Sequence, residues 1–330
     1  MRRVLLPYEI SSAPPPAGGT IADWRGTSMG TGWSVRAVGG PADLQDRLQH
    51  ELDLVVAQMS HWEAASNLGR FNRAAAGTWQ ELPPEFFDVL SFGLEVCDAS
   101  GGACDPCAGA LVNLWGFGPV NRYDEAGFIA PTAQQVAGVL AQRAHVRLDA
   151  AGRRAWQPGG VQLDLSAIAK GYAVDRLAGC LDRLGIHHYL VEVGGELRGA
   201  GVKPDGQPWW VSLEQPAEGG DDIVVALHGL AVATSGDYRR FFMTDARRYP
   251  HTIDPRTGMP IDSGIASVTV IHASCMAADA WSTALTVLGV EEGLRLAERR
   301  GLAARFLARQ FDGTLRETVS SHFSAMLDDE

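Results

Sequence analysis

Asp164-Leu165-Ser166-Ala167-Ile168-Ala169-Lys170-Gly171-Tyr172-Ala173-Val174-Asp175 decides how the rest of the chain is read. Val161, Leu163 and Leu165 alternate as in a strand, and from Ala167 to Leu184 the positions Ile168, Tyr172, Leu181 and Leu184 recur at helical spacing. A strand is therefore expected to run straight into a helix, with a carboxylate, a hydroxyl and a lysine at the junction. A helix start exposes backbone N–H groups and carries partial positive charge, so it suits a phosphate-bearing ligand. A capping role alone also accounts for Ser166. The spacing leaves both readings open.

Outward from this junction the pattern mixes helices and strands. Residues 1–23 are expected to be a flexible tail, because Ser11-Ser12-Ala13-Pro14-Pro15-Pro16-Ala17-Gly18-Gly19 has linker composition. The folded part is expected as one domain, 24–330. Amphipathic helices are expected over Ala42–Ser60, from Pro83-Pro84 towards Cys97, over Pro131–Arg143, and over Met276–Leu288 and Glu291–Arg300. Strands are expected at Trp33–Val38, Val161–Leu165, Tyr189–Val193, Trp209–Leu213, Ile223–Leu227, Ala231–Ala233, Ala266–Ile271 and Ala304–Ala308. Strands outnumber what βαβ alternation supplies, so the fold class is α+β.

The chain has 330 residues, 46% of them apolar, and carries 39 acidic against 28 basic residues for a net charge of −11. That balance argues against a nucleic-acid partner, since neutralising phosphates needs a basic excess. It is compatible with a small anionic ligand when a divalent cation stands between ligand and carboxylates. The five cysteines are too sparse for a disulfide scaffold, and Cys104-Asp105-Pro106-Cys107 lacks both a thioredoxin-like context and a second pair for zinc. Val4-Leu5-Leu6 is too short for a signal-peptide core, and nothing approaches the roughly 18 apolar residues of a membrane helix. The expected compartment is the cytoplasm, or the periplasm should the N-terminus be truncated or misassigned.

Three further constellations could carry chemistry. Asp279 and Thr283 stand four apart on an expected helix, stacking a carboxylate and a hydroxyl that suit Mg²⁺. A helical Asp with a back-bonded Thr gives the same spacing. His251 precedes the strong turn Asp254-Pro255-Arg256-Thr257-Gly258, and a histidine with a neighbouring carboxylate makes a plausible general base. It is also one of nine histidines, any of which could be a surface residue. Gly194-Gly195-Glu196, Ser235-Gly236-Asp237-Tyr238 and the small-residue loop Gly26–Thr31 either admit a ligand to the backbone or simply make turns.

Taken in order, these strings resemble the ApbE family of FAD:protein FMN transferases over roughly residues 24–310. The resemblance rests on Gly26–Ser34, Met59–Asn72, Gly102–Pro119, Asp164–Asp175, Val191–Gly201, Ala231–Phe242, His251–Pro260 and Ser267–Leu288. It implies an ApbE-like, T-fold-related architecture with largely antiparallel sheets flanked by helices and the FAD site in a cleft. It implies transfer of FMN from FAD to a threonine hydroxyl of an acceptor flavoprotein, with release of AMP. Mg²⁺ is then held by Asp279, Ser282, Thr283 and the Ala167 carbonyl. FAD meets Met29, Trp62, Ala103, Cys104, Asp105, Asp164, Lys170 and Ile253. His251 takes the threonine's proton, helped by the turn at Asp254. The partners implied are FAD and an acceptor protein with a threonine-containing flavinylation motif, with no membrane segment in this chain.

The chain departs from the family pattern at four places. Trp62 stands where Tyr is usual, at a ring-stacking position. Gly69 replaces a Ser, Glu192 an Asp, and Ala246 a Gly. Some members with a non-aromatic residue at the stacking position hydrolyse FAD to FMN and AMP, so an aromatic Trp62 favours transfer. FAD pyrophosphatase activity and simple FAD binding remain the alternatives.

Overall fold

A computed structural model describes residues 3–7, 19–216, 223–244 and 247–327. In chain order the elements begin with strands β1 (Arg3–Leu5), β2 (Ile21–Ser28) and β3 (Thr31–Val38), then helices α1 (Leu44–Met59) and α2 (Asn67–Asn72). Next come β4 (Thr78–Glu81), α3 (Pro84–Ala99), α4 (Gly109–Leu114), α5 (Ala133–Ala141), β5 (Arg147–Asp149) and β6 (Arg154–Gln157). The central stretch holds α6 (Ala169–Arg183), β7 (Tyr189–Val193), β8 (Glu196–Ala200), β9 (Trp209–Ser212), β10 (Ile223–Leu227) and β11 (Leu230–Gly236). Short strands β12 (Phe241–Thr244), β13 (Arg247–Pro250), β14 (Ile253–Asp254) and β15 (Met259–Pro260) precede β16 (Ile265–His272). The chain closes with α7 (Cys275–Arg300), β17 (Ala303–Arg309), β18 (Leu315–Val319) and α8 (Ser321–Ser324).

These elements cluster into two compact units. One comprises Met1–Leu54, Lys170–Gly236 and Gly264–Glu330; the other comprises Val55–Ala169 and Asp237–Ser263. The first is built on an eight-stranded sheet of order β18-β17-β16-β11-β8-β7-β3-β2, with every neighbouring pair antiparallel. α7 packs on β11 and β16. β16 is buried along nearly its whole length, so its run of apolar residues has no polar face to alternate with. A second sheet, β1-β10-β9, adds Leu5, Trp209, Ile223, Val225 and Leu227 to a core shared with Phe323 and Met326.

The other unit gathers Leu111, Trp115, Phe117, Val136 and Ile253 into its own core, flanked by Tyr123, Phe242 and Tyr249. Phe242 stacks on Tyr249 with ring centroids 5.1 Å apart, and the Trp115 indole donates to the Gly258 carbonyl at 2.7 Å. That bond ties the Asp254–Gly258 turn to helix α4.

The α+β class holds, with sheets that are largely antiparallel. Several local expectations do not. Arg3–Leu5 is a strand parallel to β10, with Leu5 buried, so this part of the expected tail is packed. The regular fold resumes at Ile21 rather than near Trp24. The linker-like residues 11–18 lie outside the described residues. Val161–Leu165 is not a strand: it makes one bridge, Gln162 to Ala108. Asn72 takes over instead, accepting from Leu163 N at 2.7 Å and donating to the Leu163 carbonyl at 3.0 Å. A side-chain amide satisfies the backbone that a ladder was expected to satisfy. The two expected C-terminal helices, by contrast, are both present: α7 is two helical stretches that meet at a kink at Gly289, whose φ of 75° is non-helical. Gly69 replaces serine at a place with no room for one, since a Cβ there meets the Glu63 carbonyl oxygen at 2.7 Å.

α6 and α7 approach closely at Gly171. A Cβ at that position meets the Cys275 carbonyl oxygen at 2.3 Å and the Asp279 Cβ at 2.7 Å. Asp175, one turn further along α6, accepts from the Ser274 hydroxyl at 2.8 Å, Cys275 N at 3.1 Å and Met276 N at 3.0 Å. It therefore caps α7 from outside that helix. Gly171→Ala is expected to lower unfolding free energy by about 1–3 kcal/mol, because a backbone carbonyl cannot step aside. At Gly179 on the same helix the nearest atom is the flexible end of Arg183 at 3.4 Å. Gly179→Ala is expected to raise stability by about 0.5–1 kcal/mol. Urea unfolding of both variants checks the pair.

His272 ends β16 and accepts the Ser274 N–H at Nδ1, at 2.9 Å. Burial holds its imidazole below the ordinary value of 6.5, against the pull of Asp175. The unfolded chain then binds more protons between the two values, so this contribution to stability is lost as pH falls through 6.5. Between about pH 7.5 and 5.5 the stability of the wild type is expected to fall more steeply than that of His272→Gln. Urea titrations at several pH values read the difference.

Candidate functional site

In the first unit, α6 and α7 bring charge and hydroxyls together. Asp279 is only 4% exposed, and its Oδ2 accepts the Gly171 N–H at 2.9 Å. Burial raises its pKa, and Lys170 and the Gly171 bond act in the opposite direction. Lys170 opens α6 and pairs with Glu196 on β8. Burial also pushes the Glu196 carboxyl up, with Lys170 opposing and Asp279 adding to the shift. One ammonium thus pairs with Glu196 and acts electrostatically on Asp279.

One turn along α7, Thr283 Oγ1 and Ser282 Oγ lie 2.9 and 2.8 Å from the Ser235 hydroxyl at the end of β11. Ser282 also donates to the Asp279 carbonyl at 2.9 Å, so its proton is spent inside its own helix. The expected stack of Asp279 and Thr283 is present on α7, with Ser235 as an unexpected third hydroxyl.

Met29 belongs to the same unit. It forms the two-residue turn of the β2–β3 hairpin with Gly30, at φ of 52° and 72°. Positive φ at both positions is the type I′ pattern that suits the strand twist. Methionine is an uncommon residue in this conformation. The expected Gly26–Thr31 loop is mostly strand, with the turn confined to these two residues.

The second unit carries the rest of the expected set. His251 Nδ1 lies 3.1 Å from the Arg240 carbonyl, and its ring stands edge-on to Phe117. A carbonyl can only accept, so Nδ1 carries the proton and Nε2 holds the lone pair a base needs. The carboxylate that the turn was expected to set beside His251 is held elsewhere. Asp254 binds the Arg256 guanidinium at 2.9 Å through both oxygens and also accepts Arg256 N. Asp254 shapes the turn, and the backbone of Arg240 orients the histidine.

Trp62 is 45% exposed, with Arg122 and Arg240 guanidinium carbons 5.7 and 5.9 Å from its ring centroid. Asp164 accepts Ser166 N at 2.8 Å and lies 3.4 Å from His61 Nδ1. Ser166 is therefore held by Asp164, and α6 starts only at Ala169, so Ser166 is not its cap. Ala167 sits in the turn between them. Ala103, Cys104 and Asp105 are buried. The Asp105 carboxylate accepts Cys107 N at 2.8 Å and pairs with Arg143. Ile253 packs its side chain into the aromatic core.

The residues present fit a hard divalent cation. Among the described residues no three His, Cys, Asp or Glu side chains are arranged as a metal cage. A carboxylate with neighbouring hydroxyls suits Mg²⁺ completed by phosphate oxygens. Glu196 and Ser235 beside the predicted residues of the first unit, and Arg122 and Arg240 beside Trp62 in the second, were not expected. Glu196 and Ser235 fall in the Gly-Gly and Ser-Gly stretches already noted as close-approach turns, but nothing in one dimension sets them beside α6 and α7.

The chain is thus an α+β protein with a buried carboxylate–ammonium pair beside a hydroxyl cluster. A profile of the ApbE family matches residues 29–306. The Klebsiella pneumoniae (strain 342) protein named FAD:protein FMN transferase is 35% identical over 96% of this chain and 91% of its own length. The Vibrio cholerae protein of the same name is 36% identical over 92% and 91%. The apo crystal structure of Pseudomonas stutzeri flavinyl transferase ApbE matches with a TM-score of 0.85 at 38% identity, covering 93% of this chain and 97% of that one. The chain belongs to the ApbE family.

None of the five cysteines forms a disulfide, and all are buried. Burial, with Asp105 adding to it, pushes Cys97 and Cys107 up to about 12. At pH 8, iodoacetamide is expected to leave both unmodified in the native protein and to alkylate both in urea. Peptide mass spectrometry reads this directly.

Proposed function

We propose that this chain is an FAD:protein FMN transferase that moves FMN from FAD onto a threonine hydroxyl of an acceptor protein and releases AMP. The observation that carries the reading is buried Asp279, bonded to Gly171 N beside Lys170 and one turn from the Ser235–Ser282–Thr283 hydroxyls. It stands in a chain that matches the family across 29–306.

In this reading Asp279 and Thr283, with the Ala167 carbonyl, hold Mg²⁺, and Ser282 braces them. The cation supplies charge neutralisation at the pyrophosphate. Lys170 adds a fixed positive charge for a phosphate oxygen. Trp62 offers an exposed aromatic face for a ring of FAD, rimmed by two guanidinium groups. Met29, Asp164, Ile253 and the backbone around Ala103–Asp105 bind the rest of the molecule. His251 Nε2 takes the threonine proton as the new P–O bond forms and the pyrophosphate P–O bond to AMP breaks. Asp254 acts only through the turn.

The test is incubation of the chain with FAD, Mg²⁺ and a protein carrying a Ser/Thr-Gly-Ala-x-Thr-like segment. Flavin fluorescence that survives denaturing electrophoresis, with matching AMP, is expected. His251→Ala and Asp279→Asn are each expected to slow the reaction by about 100-fold or more. AMP and free FMN formed equally with or without acceptor identify a pyrophosphatase instead. Bound FAD with no AMP at all sinks both enzymatic readings.

A further inference from the structure

Glu196 is the most deeply buried acid in the first unit whose chemistry the reading above leaves unused. It is 4% exposed and begins β8 immediately after the Gly194-Gly195 turn, whose φ values are 63° and 104°. A Cβ on Gly194 meets Thr31 at 2.9 Å, so the turn is packed in place. A tight hairpin on a central sheet holds the carboxylate on a rigid element.

Its two oxygens differ. Oε1 accepts from the Lys170 ammonium, whereas Oε2 is buried and finds no hydrogen-bond partner among the described residues. Buried structural carboxylates ordinarily have both oxygens bonded, and the exceptions call for an explanation. The lysine end is different again: the Lys170 side chain is one-third exposed while that of Glu196 is 5% exposed. A buried anion on a strand therefore anchors a cation whose other side reaches outward, at the opening of α6.

We infer that Glu196 is a positioning residue: its carboxylate fixes the Lys170 ammonium in direction, so that the ammonium meets a phosphate oxygen of FAD without a search through lysine rotamers. A lysine carries its charge on a flexible stem, and holding one of its three donors on a rigid partner fixes the direction of the whole ammonium. Glu196 acts through Lys170 and touches no reacting atom. The inference rests on the proposed use of FAD, and its readout is binding rather than turnover.

The test is a double-mutant cycle on the full chain with Glu196→Gln, Lys170→Met and the double variant. FAD affinity is measured by equilibrium dialysis with Mg²⁺ present, and thermal stability is followed for each protein. Glu196→Gln is expected to weaken FAD binding by about tenfold, the size typical of supporting groups around a charged site. The double variant is expected to bind no worse than Lys170→Met, because the glutamate has nothing left to aim. Glu196→Asp is expected to recover part of the loss and stands in should the Gln variant fail to fold. In turnover, the change is expected in KM for FAD more than in kcat.

Additive losses overturn the inference, as does unchanged FAD affinity in Glu196→Gln, or a loss that merely tracks melting temperature. Failure of transfer and hydrolysis with a non-additive cycle overturns the proposed function and leaves Glu196 its role. Normal transfer with an additive cycle does the reverse. A wild type that does not bind FAD overturns both.

Discussion

The close approach of α6 to α7 at Gly171 is the constraint on which the rest of the site depends. Without a side chain, Gly171 lets its own N–H reach the Asp279 carboxylate, and no larger residue can do so with the Cys275 carbonyl at 2.3 Å from the ideal Cβ. Asp175 then completes the crossing by capping α7 from α6. The Lys-Gly-x-x-x-Asp spacing is thus two packing instructions and one charge. The lysine pairs with Glu196, and the glycine and aspartate make the lysine's neighbours arrive.

How much of this was legible varies with the kind of information. Elements carrying a strong period, such as α1, β7 and β10, fall where the periodicity sets them, because burial of one face or both decides them locally. Asp279 and Thr283 were visible for the same reason, since helical spacing fixes which residues share a face. Short strands such as β4 to β6 and β12 to β15 lack a period long enough to register. Val161–Leu165 misleads because its alternation is real burial without a regular ladder: Asn72 bonds the Leu163 backbone, and Gln162 and Asp164 pair with Gly109 and Pro106. Glu196 and Ser235 were out of reach for a different reason: their partners are set by strand order, which no local pattern encodes.

The two histidine environments show how backbone carbonyls and amides do work often assigned to carboxylates. His251 has its tautomer set by the Arg240 carbonyl, leaving Asp254 to bind Arg256 and hold the turn. His272 has its Nδ1 occupied by an amide, which favours the neutral ring. Neutral partners orient an imidazole without adding a buried charge that needs its own compensation.

The order of strands in the large sheet also governs how the polypeptide can reach its native state. β3 pairs with β7, and the Ser34 hydroxyl meets the Glu192 carboxylate across 158 residues of sequence. Most of the intervening chain, Val55–Ala169, belongs to the other compact unit. A nascent chain therefore holds β2 and β3 as an orphan hairpin while more than a hundred residues are synthesised. Only when β7 emerges does that hairpin gain a neighbour, and β18, at the far edge, comes last. Closure of so long a loop is entropically slow. The discontinuous unit is thereby committed to late, chain-length-gated assembly, and a ribosome stalled before residue 189 leaves the β2–β3 edge exposed to any strand that will pair with it.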